Sequence, residues 1–287
     1  MSDLPLIQPR AETVAGQPIL RALPSARVRS IGPFVFFDHM LPHRYPPGSG
    51  MNVRQHPHIG LSTLTYLFEG QLQHRDSLGS DQQVLPGDVS WMTAGAAVAH
   101  VERTPDALRA TGSAVHGVQV WLAMPRGQEQ SAPSYRHVPA AQLPFSESLG
   151  VRITLIAGTG FCLESPVPVL SATLYAELQL QSGATLLIDT EHAERALYVL
   201  DGELELDGVT LPPRTLAILP AGLDCLLSAR GAGQAMLIGG GALDGPRRMN
   251  WNFVASDPIL IEQARQRWAL GDWPRVPGED ERIELPN

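Results

Sequence analysis

YLFEGQLQHRDSLG (residues 66–79) and YVLDGELELDGVTL (residues 198–211) are two versions of one pattern. Each opens on a tyrosine-led apolar strand and reaches an acidic residue followed by glycine, Glu69-Gly70 or Asp201-Gly202. An alternating return strand follows, so each acidic-Gly pair predicts a hairpin turn. Each copy continues into a proline turn, Leu85-Pro86-Gly87 or Leu211-Pro212-Pro213, and another short apolar strand. A repeat on this scale predicts one small β-barrel built twice.

The surrounding sequence agrees. Glycine (27) and proline (25) punctuate short β-branched or alternating runs across the 287 residues, the pattern of an all-β protein. SATLYAELQL (171–180) places Ala172, Leu174, Ala176, Leu178 and Leu180 on one face, with Thr173, Tyr175, Glu177 and Gln179 on the other. That predicts a half-buried strand. RGQEQSAPSYRHVPAAQLPFSESLG (126–150) is polar and weakly periodic and reads as a connection between the barrels. SDPILIEQARQRWALGD (256–272) predicts a packing helix. Ser256 or Asp257 caps it, Pro258 suits its first turn and Gly271 stops it. Ile259, Ile261, Ala264 and Trp268 form its expected buried side.

Composition sets limits on function. With 44% hydrophobic and 17% charged residues the chain can build a sizeable core. A formal charge of −8 argues against nucleic-acid binding and against an anionic membrane surface. No apolar run approaches the roughly 20 residues that span a bilayer. MSDLPLIQPRAETVAG has no basic segment leading into an apolar one, so a cytoplasmic protein is expected. Cys162 and Cys225, in no metal-binding spacing, are expected as two thiols.

Eight of the nine histidines precede residue 140. His56 and His58 stand at i and i+2, and so share a strand face. His100 and Glu102 repeat that spacing. Two such pairs on neighbouring strands offer three imidazole nitrogens and one carboxylate to a divalent metal, with positions left open for small ligands. From spacing alone the alternative stands beside it: polar residues where loops enter a sheet. The second repeat has Ile188 and Thr190 where the first has His56 and His58, so any metal belongs to the first barrel, and His192 is not a ligand.

GPFVFFDHM (32–40), HPHIGLSTLTYLFEGQLQHRDSLG (56–79), PGDVSWMTAG (86–95) and HVERTP (100–105) together resemble the pirin family of the cupin superfamily. RRMNWNFVASDPILIEQARQRWALGDWPRVPGE (247–279) resembles the end of the same family. The resemblance runs in order over nearly the whole chain. It implies an all-β bicupin, two tandem jelly-roll-like barrels with a short C-terminal helix. The corresponding division is a metal-binding N-terminal barrel over residues 1–135 and a degenerate C-terminal barrel plus helix over 136–287. It also implies one divalent metal, most often Fe(II), on His56, His58, His100 and Glu102. Mn, Co, Ni, Cu or Zn suit the same donors. Ser62 and Thr63 stand where the usual cupin motif has a glutamate, a place that Glu102 fills, and Val101 replaces a frequent serine.

Some pirins show quercetin 2,3-dioxygenase activity, and others regulate protein partners. The resemblance therefore implies either an oxygenase acting on a flavonol or another enolisable substrate with O2, or an iron-dependent redox-sensing regulator that binds a protein. In the first case Glu102 is the catalytic proton acceptor. A monomer is expected. Asp38-His39 and His116 with Gln119 are candidates to line the cavity or orient ligands. His74-Arg75-Asp76 reads as a surface ion-pair network. Phe36, Phe37, Trp91 and Met92 read as core.

Overall fold

The computed structural model describes residues 4–286. It is built from antiparallel strands, with two α-helices among the described residues, Asp106–Thr111 and Pro258–Leu270. The chain forms two compact units. One contains Met1–Arg10, Leu20–Phe36 and Ala141–Ala242; the other contains Ala11–Ile19, Phe37–Ala140 and Leu243–Asn287. Each unit thus draws on several stretches, whereas the sequence reading sets one boundary at 135/136. Two packing facts explain this. Leu6–Ile7 pairs with Leu216–Ile218, and the segment after residue 243 packs onto the strand that bears His100.

In the histidine-bearing unit, a four-stranded sheet runs in the order Asn52–His58, Val98–Arg103, Leu72–Asp76, Asp81–Val84. A seven-stranded sheet contains, as consecutive neighbours, Ser134–Val138, Val89–Thr93, Leu61–Gly70 and Ser113–Ala123. Inward side chains of both, among them Val53, Leu72 and Val84 from the first and Leu67 and Val115 from the second, share one core. This is a closed sandwich of two inner faces.

The acidic-Gly pairs are not hairpin turns. Leu61–Gly70 pairs within the seven-stranded sheet and Leu72–Asp76 within the four-stranded one, so Gly70 is where the chain passes between sheets. Its φ is +89°, and a Cβ there would lie 1.8 Å from the Ala114 carbonyl oxygen. Only glycine fits. In the other unit Glu194–Leu206 continues through Asp201-Gly202 as one strand, with register shifts on either side of that pair. The hairpin turn lies further on, at Asp207-Gly208, where both φ angles are positive. That is the two-residue geometry that twisted hairpins favour.

Other expectations change as well. Residues 126–150 are not a bare connection. Ser134–Val138 pairs with Val89–Thr93, and Phe145–Ser148 pairs with Val151–Gly160. Thr173–Leu180 is buried on both faces, because Tyr175 packs edge-on against Phe34 and Gln179 and Gln234 satisfy Glu177. Phe36, Phe37, Trp91 and Met92 are core residues as expected, and both cysteines are free thiols.

The C-terminal helix follows its sequence signals. Asp257 accepts the Ile259 N–H, Pro258 opens the helix, and Gly271 closes it in the left-handed conformation. Ile261, Ala264 and Trp268 are buried, but Ile259 is 59% exposed, since a first-turn residue points away from the barrel. Asp257→Ala is expected to cost about 1 kcal/mol, the usual value of an N-cap, read as a lower urea midpoint with unchanged slope. The helix and the tail cover Ala97 and, on the strand that bears His100 and Glu102, Ala99 and Val101. Glu279 then ties Arg75 (2.8 Å) and Arg103 (2.6 Å) together on the same outer face. No helix among the described residues is long and apolar enough to cross a membrane.

The other unit centres on a ten-stranded sheet. Its core cluster is apolar throughout and contains Ile188, Leu197, Val199, Leu227 and Cys225. His192 gives its Nε2 to the Thr159 carbonyl (2.9 Å), and Glu194 accepts the Gly32 N–H (2.7 Å).

Candidate metal centre

The four-stranded sheet brings the histidines together. Val98–Arg103 lies between Asn52–His58 and Leu72–Asp76, antiparallel to both. His100 stands opposite His56 on one side and Asp76 on the other. Glu102 stands opposite Val53 and His74. The register with Asn52–His58 shifts here because two residues of that strand, Arg54 and Gln55, oppose the single residue Val101, a bulge. The ladder to Leu72–Asp76 stays regular, so His100 and Glu102 keep to one face.

His56, His58 and His100 converge, with one ring nitrogen from each within 4.8 Å of the others, and all three are buried. Glu102 falls in an overlapping group with His100 and His74. The four residues singled out in the sequence therefore meet as two groups that share His100, not as one tight square.

Backbone carbonyls fix the rings. His56 Nδ1 lies 2.9 Å from the Arg54 oxygen and His58 Nδ1 lies 3.1 Å from the Asn252 oxygen. A carbonyl only accepts, so both hydrogens sit on Nδ1 and both Nε2 atoms are lone pairs. His58 Nε2 approaches His100 Nε2 to 3.1 Å. Trp121 packs edge-on against His58, with ring centroids 5.1 Å apart. Burial lowers the pKa of all three imidazoles, and neighbouring histidines push those of His58 and His100 down further. Neutral, buried imidazoles that turn lone pairs toward one point are the donor set of a divalent metal. The residues fit the group.

Glu102 is held from the seven-stranded sheet. Thr65 Oγ1 donates to Oε1 (2.9 Å), and Gln119 Nε2 donates to Oε2 (2.8 Å) and Oε1 (3.1 Å). Gln119→Leu is expected to lower metal affinity by about 10–100-fold, the usual effect of removing a ligand's hydrogen-bond partner. Competition with a chromophoric chelator measures it.

The lowered pKa values also predict the acid sensitivity of metal-free protein. Each histidine takes a proton more readily unfolded than folded, so stability is complete above the unfolded pKa near 6.5 and falls as pH drops below it. Each contributes up to about 1.4 kcal/mol per pH unit between its unfolded and folded pKa. Urea midpoints of the metal-free protein are expected to hold from pH 8 to about 6.5 and to fall from there to pH 5.

Several functional neighbours escape sequence reasoning. His74 and Asp76 are not on the surface: they are 2% and 0% exposed, because their strand turns both side chains inward beside His100 and Glu102. Their i, i+2 spacing is the same signal that marks the ligand pairs. Asn252 acts through its backbone, which no side-chain pattern reveals. Its neighbour Trp251 has φ +53°, a rare conformation for a bulky residue, in the turn that presents this carbonyl. Asp38 is buried, and His39 meets His116, Nε2 to Nε2 at 3.0 Å.

Comparison with known proteins places this site in a family. The pirin model matches residues 16–122, and the pirin C-terminal cupin domain matches residues 175–274. The chain belongs to the pirin family. Among pirins, it is 42% identical over 271 residues to a pirin-like protein of Caulobacter vibrioides, covering 93% of each chain. It is 29% identical over 170 residues to human pirin, 59% of this chain and 55% of that one. A crystal structure of quercetin 2,3-dioxygenase from Acinetobacter baumannii superposes with a TM-score of 0.92 at 32% identity, over 99% of this chain and 95% of that one. The fold is thus the all-β bicupin, with two cupin barrels and a short C-terminal helix.

Proposed function

We propose that this pirin is an iron-dependent dioxygenase that cleaves a flavonol such as quercetin, or a related enolisable substrate, with O2. The observation behind it is the convergence of three neutral imidazoles next to a hydrogen-bonded carboxylate in the pirin barrel. The likeness to a quercetin 2,3-dioxygenase supports the choice of reaction.

His56, His58 and His100 would hold the metal through Nε2, with Glu102 as the fourth donor. When bound, Fe(II) supplies Lewis acidity toward the substrate hydroxyl and open positions for small ligands. Three neutral rings and one carboxylate leave a divalent site at formal +1, which favours an anionic enolate. Glu102 accepts the hydroxyl proton at a carboxylate oxygen. Gln119 and Thr65 keep that carboxylate oriented, and Trp121 limits rotation of the His58 ring. Cytoplasmic location and a monomeric state belong to the same proposal.

Oxygen uptake by anaerobically iron-loaded protein, with quercetin added and carbon monoxide trapped, tests the proposal. Carbon monoxide release that disappears in His56→Ala is expected. Bound iron that depends on His56 without any turnover would refute the enzyme and leave a metal-dependent regulator of a protein partner.

A further inference from the structure

Asp76 and His74 are fully enclosed yet take no part in the chemistry proposed above. Their hydrogen bonds run in one direction. Asp76 Oδ1 accepts the backbone N–H groups of Leu78 (2.9 Å) and Ser80 (3.0 Å). Its other oxygen, Oδ2, lies 3.0 Å from His74 Nε2. A carboxylate only accepts, so the hydrogen of this contact sits on His74 Nε2, and a ring that carries that single hydrogen has a lone pair at Nδ1. That lone pair faces His100 Nδ1 at 3.5 Å. One hydrogen can lie between the two nitrogens, and His100 must provide it. With Nδ1 of His100 protonated, its Nε2 is a lone pair, and this is the atom that faces His58. Tyr135 stacks on His74 at 4.3 Å and 12°, which fixes the plane of the relaying ring.

We propose that Asp76 and His74 are positioning residues that set the tautomer of His100, so that its Nε2 enters the cluster as a lone pair. The proposal rests on His100 being a metal ligand. The relay is a carboxylate, an imidazole and a ligating imidazole in series. It extends by one ring the familiar arrangement in which an outer carboxylate orients a metal-bound histidine. His56 and His58 have backbone carbonyls for this purpose, whereas His100 has His74.

Asp76→Asn inverts the relay with almost no change of shape. Leu78 and Ser80 still donate to Oδ1, so that atom must remain the oxygen of the new amide. The amide nitrogen therefore takes the place of Oδ2 and donates to His74 Nε2. His74 must then carry its hydrogen on Nδ1, and His100 must carry its own on Nε2, where no metal can bind.

Nitrogen-15 spectra of histidine-labelled, metal-free protein read both tautomers at neutral pH without any metal. In the wild type, His74 is expected as Nε2–H and His100 as Nδ1–H, and both are expected to switch in Asp76→Asn. Cobalt(II) affinity, from titration against a competing chelator, is expected to fall by about 10–100-fold. His74→Phe keeps a ring against Tyr135 and removes the acceptor, and a similar loss is expected. Because Asp76 acts through His74, the double variant is expected to bind cobalt no worse than His74→Phe alone. Unchanged tautomers in Asp76→Asn, or losses that multiply in the double variant, would overturn the relay. If Asp76→Asn does not fold, His74→Phe decides alone: an unchanged Nδ1–H signal for His100 with unchanged affinity is the contrary result. Absence of cobalt binding by the wild type would refute the metal reading instead, and the tautomers would still be read.

Discussion

His100→Ala is expected to reduce iron content from stoichiometric to background and to abolish oxygen uptake with it. His100 belongs to both convergent groups, and its ring lies within 4.3 Å of His56 and 5.0 Å of His58, centroid to centroid. Its removal leaves His56 and His58 as two buried imidazoles and takes away the residue shared with the group that contains Glu102. A divalent ion held by two imidazoles in a flexible site loses most of the affinity that three preoriented donors provide. The variant should fold, since an alanine in mid-strand keeps its backbone ladder to both neighbours. Metal analysis after desalting gives the result directly. His192→Ala is the matched control. That ring bonds the Thr159 carbonyl in the other unit, and iron content and oxygen uptake are expected to stay at wild-type values.

Arg247→Met is expected to destabilise the histidine-bearing unit by about 3–5 kcal/mol, the range for a buried ion pair that loses one partner. Arg247 Nε lies 2.9 Å from Glu129 Oε1, with side chains only 3% and 2% exposed. Glu129 also accepts the Ser256 backbone N–H and hydroxyl, both at 2.8 Å. Arg247 in addition donates to the Met124 carbonyl at 2.7 Å. These bonds fasten the segment that carries Asn252, and so the carbonyl that orients His58. Without the guanidinium, Glu129 is a buried carboxylate held by the Ser256 backbone N–H and hydroxyl. Urea unfolding with a slope check measures the loss, and iron retention should fall in parallel. Full stability would mean that water or a shifted side chain replaces the arginine.

How far the sequence discloses this molecule differs by residue. Period-two spacing revealed His56 with His58 and His100 with Glu102, because strand geometry puts i and i+2 on one face whatever surrounds them. The C-terminal helix was legible for a similarly local reason: Asp257, Pro258 and Gly271 act on their own backbone. Glu69-Gly70 reads from the sequence as a hairpin turn because a glycine at positive φ serves a hairpin and a passage between sheets equally well. The pairing partners that distinguish the two lie far along the chain, in Ser113–Ala123 and Val98–Arg103. His74-Arg75-Asp76 reads from the sequence as a surface ion-pair network after a hairpin turn, and the turn is not there. Arg75 does form an ion pair, with Glu279, but on the opposite face of the strand. Gln119 reads from the sequence as a cavity-lining candidate, and its contact with Glu102 depends on two sheets closing over each other. Asn252 could not be found at all, since what it offers is a carbonyl in a turn.

The central claim is that one metal sits where His56, His58 and His100 converge beside Glu102. Anomalous diffraction from crystals of the iron-loaded protein, collected on both sides of the iron absorption edge, tests it most directly. One peak is expected per chain, bound by Nε2 of the three histidines and by a carboxylate oxygen of Glu102. An iron peak coordinated by other residues, or stoichiometric iron in solution with no peak at this cluster, would contradict the account.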